Sequence, residues 1–152
     1  NSNANMSDGA EPYRAWQQLV LANYISGNFT GIGGSAVPGT NVPKSRISNA
    51  GWSFGFKAIT ADANNYDQDL SNFLAIGAPI GGGLTQAAAI TPQDAWQVDT
   101  KLDDGSPALG RIMTRKIAAL ANCADSDVDA TANYKRNFTG VACSLNMSLT
   151  LK

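Results

Sequence analysis

An α+β fold, with helices packed on a mainly antiparallel sheet, is what the apolar patterning of this chain predicts. Three stretches carry that expectation. Glu11 to Tyr24 sets Trp16, Leu19, Val20 and Tyr24 at helical spacing, which makes one buried stripe. Thr91 to Arg111 opens on a helix-capping pattern and closes on Gly105 and Pro107. Val141 to Lys152 alternates apolar and polar residues without a break, the pattern of a long strand with one buried and one wet face.

Taken in order, residues 1–10 are small and polar around Asp8-Gly9 and are expected to fray as a flexible segment. Residues 11–152 then form a single globular domain. In the first helix Pro12 suits the opening turn, Glu11 favours the positive end of the dipole, and Gly27 is the expected terminator. Asn28 to Gly51 is a long glycine-rich stretch, of the kind that is either functional or held down by its neighbours. Its Gly31-Ile32-Gly33-Gly34 run lacks the lysine and hydroxyl residue that end a phosphate loop.

Trp52 to Thr60 alternates with Trp52, Phe54, Phe56 and Ala58 on one face and reads as a strand. Asp62 to Leu70 is rich in Asp and Asn and reads as an exposed loop. Phe73 to Ala78 is a second strand, Pro79 to Gly83 a turn, and Leu84 to Ile90 fits either state. In the next helix Thr91 is the N-cap, Pro92 the first helical residue and Asp94 the acid of a capping box. Ala95, Val98 and Leu102 form its apolar stripe, with Trp96 beside it. Gly105 ends that helix, Pro107 prevents its resumption, and Gly110 to Ile117 is the next strand.

Composition narrows the function. Hydrophobic residues at 43% against 15% charged mark a folded domain rather than a disordered one. A net charge of −1 leaves no electrostatic footprint for nucleic acid or an anionic membrane. The cations of Arg111 to Lys116 read as a solvated face. Histidine is absent, which removes Ser-His-Asp and Cys-His catalysis and histidine metal sites. No apolar stretch approaches the roughly 20 residues that span a bilayer, and no signal peptide is evident. The first residues, Asn-Ser-Asn-Ala, without methionine, suggest a processed or trimmed product.

Cys123 and Cys143 lie too far apart for a redox pair and are too few for a zinc site without histidine. A structural disulfide made in an oxidising compartment is the reading adopted; two buried free thiols are the alternative. Closing a loop of about 20 residues contributes roughly 3 kcal/mol in the chain-entropy account.

Asp99, Asp103 and Asp104 stand within about a turn of one another, with 99 and 103 on one helical face. Carboxylates so placed do acid–base work or hold calcium. The competing reading is ordinary turn chemistry before Gly105, with Lys101 as a nearby cation. Three negative charges at the negative end of a helix also call for a neighbouring cation, for which Lys44, Arg46 and Arg111 are available. The reading adopted is no catalytic residue and no cofactor, with calcium on this trio the one metal kept open. Asp125-Ser126-Asp127-Val128-Asp129 has the alternating start of a calcium loop, but Ala130 replaces its glycine and Arg136 its bidentate acid. Asn28, Asn137 and Asn146 each open a glycosylation pattern, and the last is expected on the wet face of the final strand.

This order of residues resembles that of one known family. Tyr13-Arg14-Ala15-Trp16-Gln17-Gln18-Leu19, Gly27-Asn28-Phe29-Thr30-Gly31, Pro38-Gly39-Thr40-Asn41-Val42-Pro43 and Ile47-Ser48-Asn49-Ala50-Gly51-Trp52 follow one another. Ala95 to Pro107 and the late cysteine pair complete the series. Across most of residues 11 to 145 the chain resembles bacterial prepilin-type proteins, the type IV pilin and type II secretion pseudopilin superfamily. The resemblance implies an upstream apolar helix that anchors in the inner membrane and then joins a filament core, a sheet packed on the helix, and a disulfide-bounded region at the surface. That helix and its cleavage motif are not in this sequence, and the expectation is a globular head from which they have been removed.

The function expected is therefore a non-catalytic structural subunit, periplasmic or on the cell surface. Its partners would be copies of itself or other pilin-like subunits, met through the missing helix, which would also be its only contact with membrane. An exported module that binds carbohydrate or a surface partner through Asn28–Gly51 or residues 124–142 is the second reading. A hydrolase using Asp99 and Asp103 is the third.

Overall fold

The computed structural model describes residues 10–58 and 62–150. Helix α1 (Glu11–Leu21) leads through the long connection to strands β1 (Gly51–Lys57) and β2 (Ser71–Gly77). Helix α2 (Pro92–Leu102), strand β3 (Ile112–Met113), a single 3₁₀ turn (Asp129–Thr131) and strand β4 (Leu145–Ser148) follow. The four strands form one antiparallel sheet in the order β1-β2-β4-β3. A disulfide joins Cys123 to Cys143, with Cα atoms 4.9 Å apart. The expected α+β architecture is the observed one.

Register sorts the side chains into two layers. Trp52, Ile76 and Leu145 lie opposite one another, as do Phe54, Leu74, Met147 and Ile112. This face carries both helices. Trp16 of α1 stacks on Phe54 with centroids 4.3 Å apart and meets Phe29 edge-on, and Ala95, Trp96 and Val98 of α2 pack on Ile76, Ile112 and Leu145. The disulfide sits within this second cluster, beside Leu120 and Tyr134.

The opposite face is covered as well, which the sequence pattern does not announce. Small residues (Gly51, Ser53, Gly55) make it the more deeply buried side of β1, while Trp52, Phe54 and Phe56 are half-buried. The Phe73 ring lies against Gly55 so closely that a Cβ there would collide with it. Buried hydroxyls and amides tie the covering loops to the strands. Thr85 Oγ1 donates to Ser53 Oγ (2.9 Å), Ser144 Oγ to the Gln86 carbonyl (3.0 Å), and Ser148 Oγ to the Leu70 carbonyl (3.1 Å).

Several expectations are corrected by this packing. The final strand is not wet on one side: Ser144, Asn146 and Ser148 are all buried, because β4 lies between β2 and β3 beneath the loops around 66–70 and 84–86. Asn146 is therefore no accessible glycosylation site, whereas Asn28 and Asn137 are exposed. The 62–70 loop is anchored rather than free, with Tyr66 and Leu70 buried and the Tyr66 hydroxyl donating to the Ser126 carbonyl at 2.8 Å.

Helix α1 stops at Leu21 and not near Gly27. Asn23 takes φ 60°, and the amides of Asn23 and Tyr24 bond the carbonyls of Val20 and Leu19. That is a Schellman closure with asparagine in the glycine role, and it leaves Tyr24 exposed instead of in the buried stripe. In α2, Leu102 is likewise exposed while Asp99 is fully buried. The strand expected over 110–117 shortens to Ile112–Met113, since the amides of Arg111 and Ile112 are taken by a side chain. Positions 1–9, 59–60 and 151–152 of the expected elements lie outside the described residues.

The long 28–50 connection is held down by its neighbours. Tyr13 donates its hydroxyl to the Gly34 carbonyl at 2.6 Å. Asn41, buried, donates to the carbonyls of Ile32 and Ser35 and accepts the Val37 amide at 2.7 Å.

Replacing both cysteines by serine is expected to lower unfolding stability by about 3 kcal/mol without changing the fold. Urea unfolding of the double variant reads this directly, and an unchanged midpoint would contradict it.

Candidate acidic site at the end of helix α2

Thr91 and Asp94 start α2 as the sequence predicts. Thr91 Oγ1 accepts the Asp94 amide at 3.1 Å and donates to the Asp94 carboxylate at 2.7 Å, which satisfies an orphan donor of the first turn. The helix then delivers Asp99 to the interior. This carboxylate is fully buried, and each of its oxygens has a donor: the Tyr134 hydroxyl at 2.8 Å and the Gly105 amide at 3.1 Å. Tyr134 belongs to the segment between the two cysteines. The bond therefore joins α2 to the disulfide-closed loop.

Asp103 caps the end of α2. Its Oδ2 accepts the amides of Arg111 and Ile112, the latter at 2.9 Å. Gly110 permits that return: its φ is +75°, and a Cβ there would strike the Asp103 carboxylate. Asp104 Oδ1 accepts the Ser106 amide at 2.8 Å. The three carboxylates do converge, with one oxygen from each within 4.8 Å of the others. The cation expected beside them is not a side chain. Among the described residues no ion pair links them to Lys44, Arg46, Lys101 or Arg111, and four backbone N–H groups of the following loop supply the positive poles instead.

Burial pushes the Asp99 carboxyl up to about 7. The Tyr134 and Gly105 hydrogen bonds pull it down, and Asp104 and Asp103 add to the rise. Burial, then Asp99 itself, raises the Tyr134 hydroxyl well above its ordinary value. A carboxyl near 7 has the proton affinity of a general acid or base. Asp99, however, presents no accessible surface to a substrate, and both its oxygens are engaged. The trio is built as a brace between α2, the 103–112 loop and the cystine-closed segment.

The other sequence candidates resolve similarly. Asp125 accepts the Asn133 amide at 2.8 Å, Asp127 the Ile117 amide at 2.6 Å, and Asp129 the amides of Asp67 and Gln68, each at 3.1 Å. Their carboxylates point to three different segments and do not converge on a common ion. Arg136 lies over the Trp96 ring at 4.5 Å, a second tie between the disulfide loop and α2. Tyr134 is the member of the site that sequence reasoning missed. Its only signal is an aromatic residue between two cysteines, which does not specify a partner. Comparison with protein-family models, curated proteins and solved structures returns no match.

The raised Asp99 value fixes the sign of a pH effect. The protonated carboxyl is favoured by folding, so its contribution is complete below about pH 4 and is lost as pH rises to about 7, at about 1.4 kcal/mol per pH unit. Between pH 5 and pH 7 the native protein should lose roughly 2 kcal/mol relative to Asp99→Asn, read as the difference between their urea unfolding curves. Parallel curves at the two pH values would refute a buried titrating carboxyl. Asp103→Ala should cost about 1–3 kcal/mol by orphaning loop amides. Asp103→Asn, which keeps a carbonyl oxygen, should recover most of it, and equal losses in the two variants would count against the capping role.

Proposed function

We propose that this domain is the extracytoplasmic head of a pilin-like or pseudopilin-like subunit, a non-catalytic building block of a bacterial filament. The observation that carries the reading is α1 laid on the first strand of an antiparallel sheet, fixed there by the stack of Trp16 on Phe54. No helix among the described residues is long and apolar enough to cross a membrane; in this reading membrane anchoring and filament packing belong to an apolar helix of the full subunit. The disulfide near the C-terminus favours a periplasmic or surface location. In this reading the sheet and the cystine-closed loop form the outer surface, and the domain meets copies of itself or related subunits.

Antibody raised against this domain should label filaments sheared from the source cells, and the domain should pellet with them. Recovery wholly as a dispersed monomer, with unlabelled filaments beside it, would overturn the assignment.

A further inference from the structure

The face of the sheet away from the helices carries a partly open cavity of about 120 Å3, room for about four water molecules at about 30 Å3 each. Four side-chain amides line it, those of Asn65, Gln68, Gln86 and Asn146. Each is held by one end. Gln86 Nε2 donates to Asn146 Oδ1 at 2.9 Å, Gln68 Nε2 to Asp129 Oδ2 at 3.1 Å, and Asn65 Nδ2 to the Asp62 carboxylate at 3.0 Å. The free ends are one donor, Asn146 Nδ2, and three acceptors, the carbonyl oxygens of Gln86, Gln68 and Asn65. None has a protein partner among the described residues. Asn146 is only 2% exposed and lines the cavity. Buried polar groups are rarely left without partners.

We propose that this cavity binds a vicinal diol, the edge of a neutral sugar or a glycerol unit. A hydroxyl both donates and accepts, and adjacent hydroxyls need a donor and acceptors fixed close together. The tethered amides supply that set without the ordering cost that a mobile site would carry. Phe73 and Leu84 line the same space and give the ligand's C–H surface an apolar wall. The volume admits two carbons with their hydroxyls rather than a whole pyranose ring, so a sugar enters by one edge. A neutral ligand is favoured because Lys57, the one cation lining it among the described residues, has Asp62 at 3.9 Å.

The test is an NMR titration of the isotope-labelled domain with glycerol, with a methyl hexopyranoside, and with 1-propanol as a single-hydroxyl control. Saturable shifts of the Asn146 and Gln86 side-chain amide signals are expected with both diols and not with 1-propanol. Tighter binding of the glycoside identifies a sugar edge as the ligand, and tighter binding of glycerol a glycerol unit. Gln86→Met, of similar length but without the amide, should weaken binding about tenfold while its backbone spectrum stays native. Gln68→Leu, at a half-buried position, should act in the same direction and serves if the first variant does not fold. Absence of saturation, an equal response to 1-propanol, or unaltered affinity in a folded variant would each overturn the proposal and leave a cavity that holds water only.

Discussion

Strand β4 hydrogen-bonds to β2 along one side and to β3 along the other, and its side chains are buried in two layers. Leu145 and Met147 enter the helix-covered core, where the apolar effect is sufficient. Ser144, Asn146 and Ser148 enter the other layer and bring polar atoms with them. Each such group costs free energy unless it finds a partner; Ser144 Oγ, Asn146 Oδ1 and Ser148 Oγ find one in a covering loop, while Asn146 Nδ2 has none among the described residues. The requirement to satisfy β4 therefore selects the positions of the segments around Leu70 and Gln86. It also creates the amide-lined cavity.

The same strand links the sheet to the disulfide. Cys143 precedes β4 by two residues, and both the Ala89 and Ile90 amides bond its carbonyl. The bridge to Cys123, the Tyr134–Asp99 bond and the Arg136–Trp96 contact then fasten the intervening segment to α2. Of these ties the carboxyl–phenol pair is the one sensitive to pH, since a buried carboxylate is costly wherever no cation offsets it. Backbone amides at the end of α2 offset part of that cost and none of the nearby lysines or arginines does. A domain built this way carries a cross-linked loop beside a sheet that both helices cover on one face.

Local signals in the chain were readable to the extent that their causes are local. Thr91, Pro92 and Asp94 act on one another within a single turn, and α2 begins where they place it. The alternation of residues 141–152 marks a strand that the structure confines to Leu145–Ser148, and alternation cannot say that a second layer covers the polar side. That depends on Tyr66, Leu70 and Thr85, far away in sequence. Asn23 closes α1 because asparagine tolerates the left-handed region, so the more obvious glycine four residues later is not needed. The acidic trio was found by spacing. Its role was not, because the partner of Asp99 is Tyr134, 35 positions away.

The interior placement of β4 is tested most directly by native-state hydrogen exchange at adjacent amides near its end. Ser148 N–H bonds the Arg111 carbonyl on the β3 side, and Leu149 N–H bonds the Asn72 carbonyl on the β2 side. Slow exchange at both positions is the predicted result, because an interior strand leaves neither direction open. Protection at Leu149 together with rapid exchange at Ser148 would make β4 an edge strand and contradict the sheet order β1-β2-β4-β3.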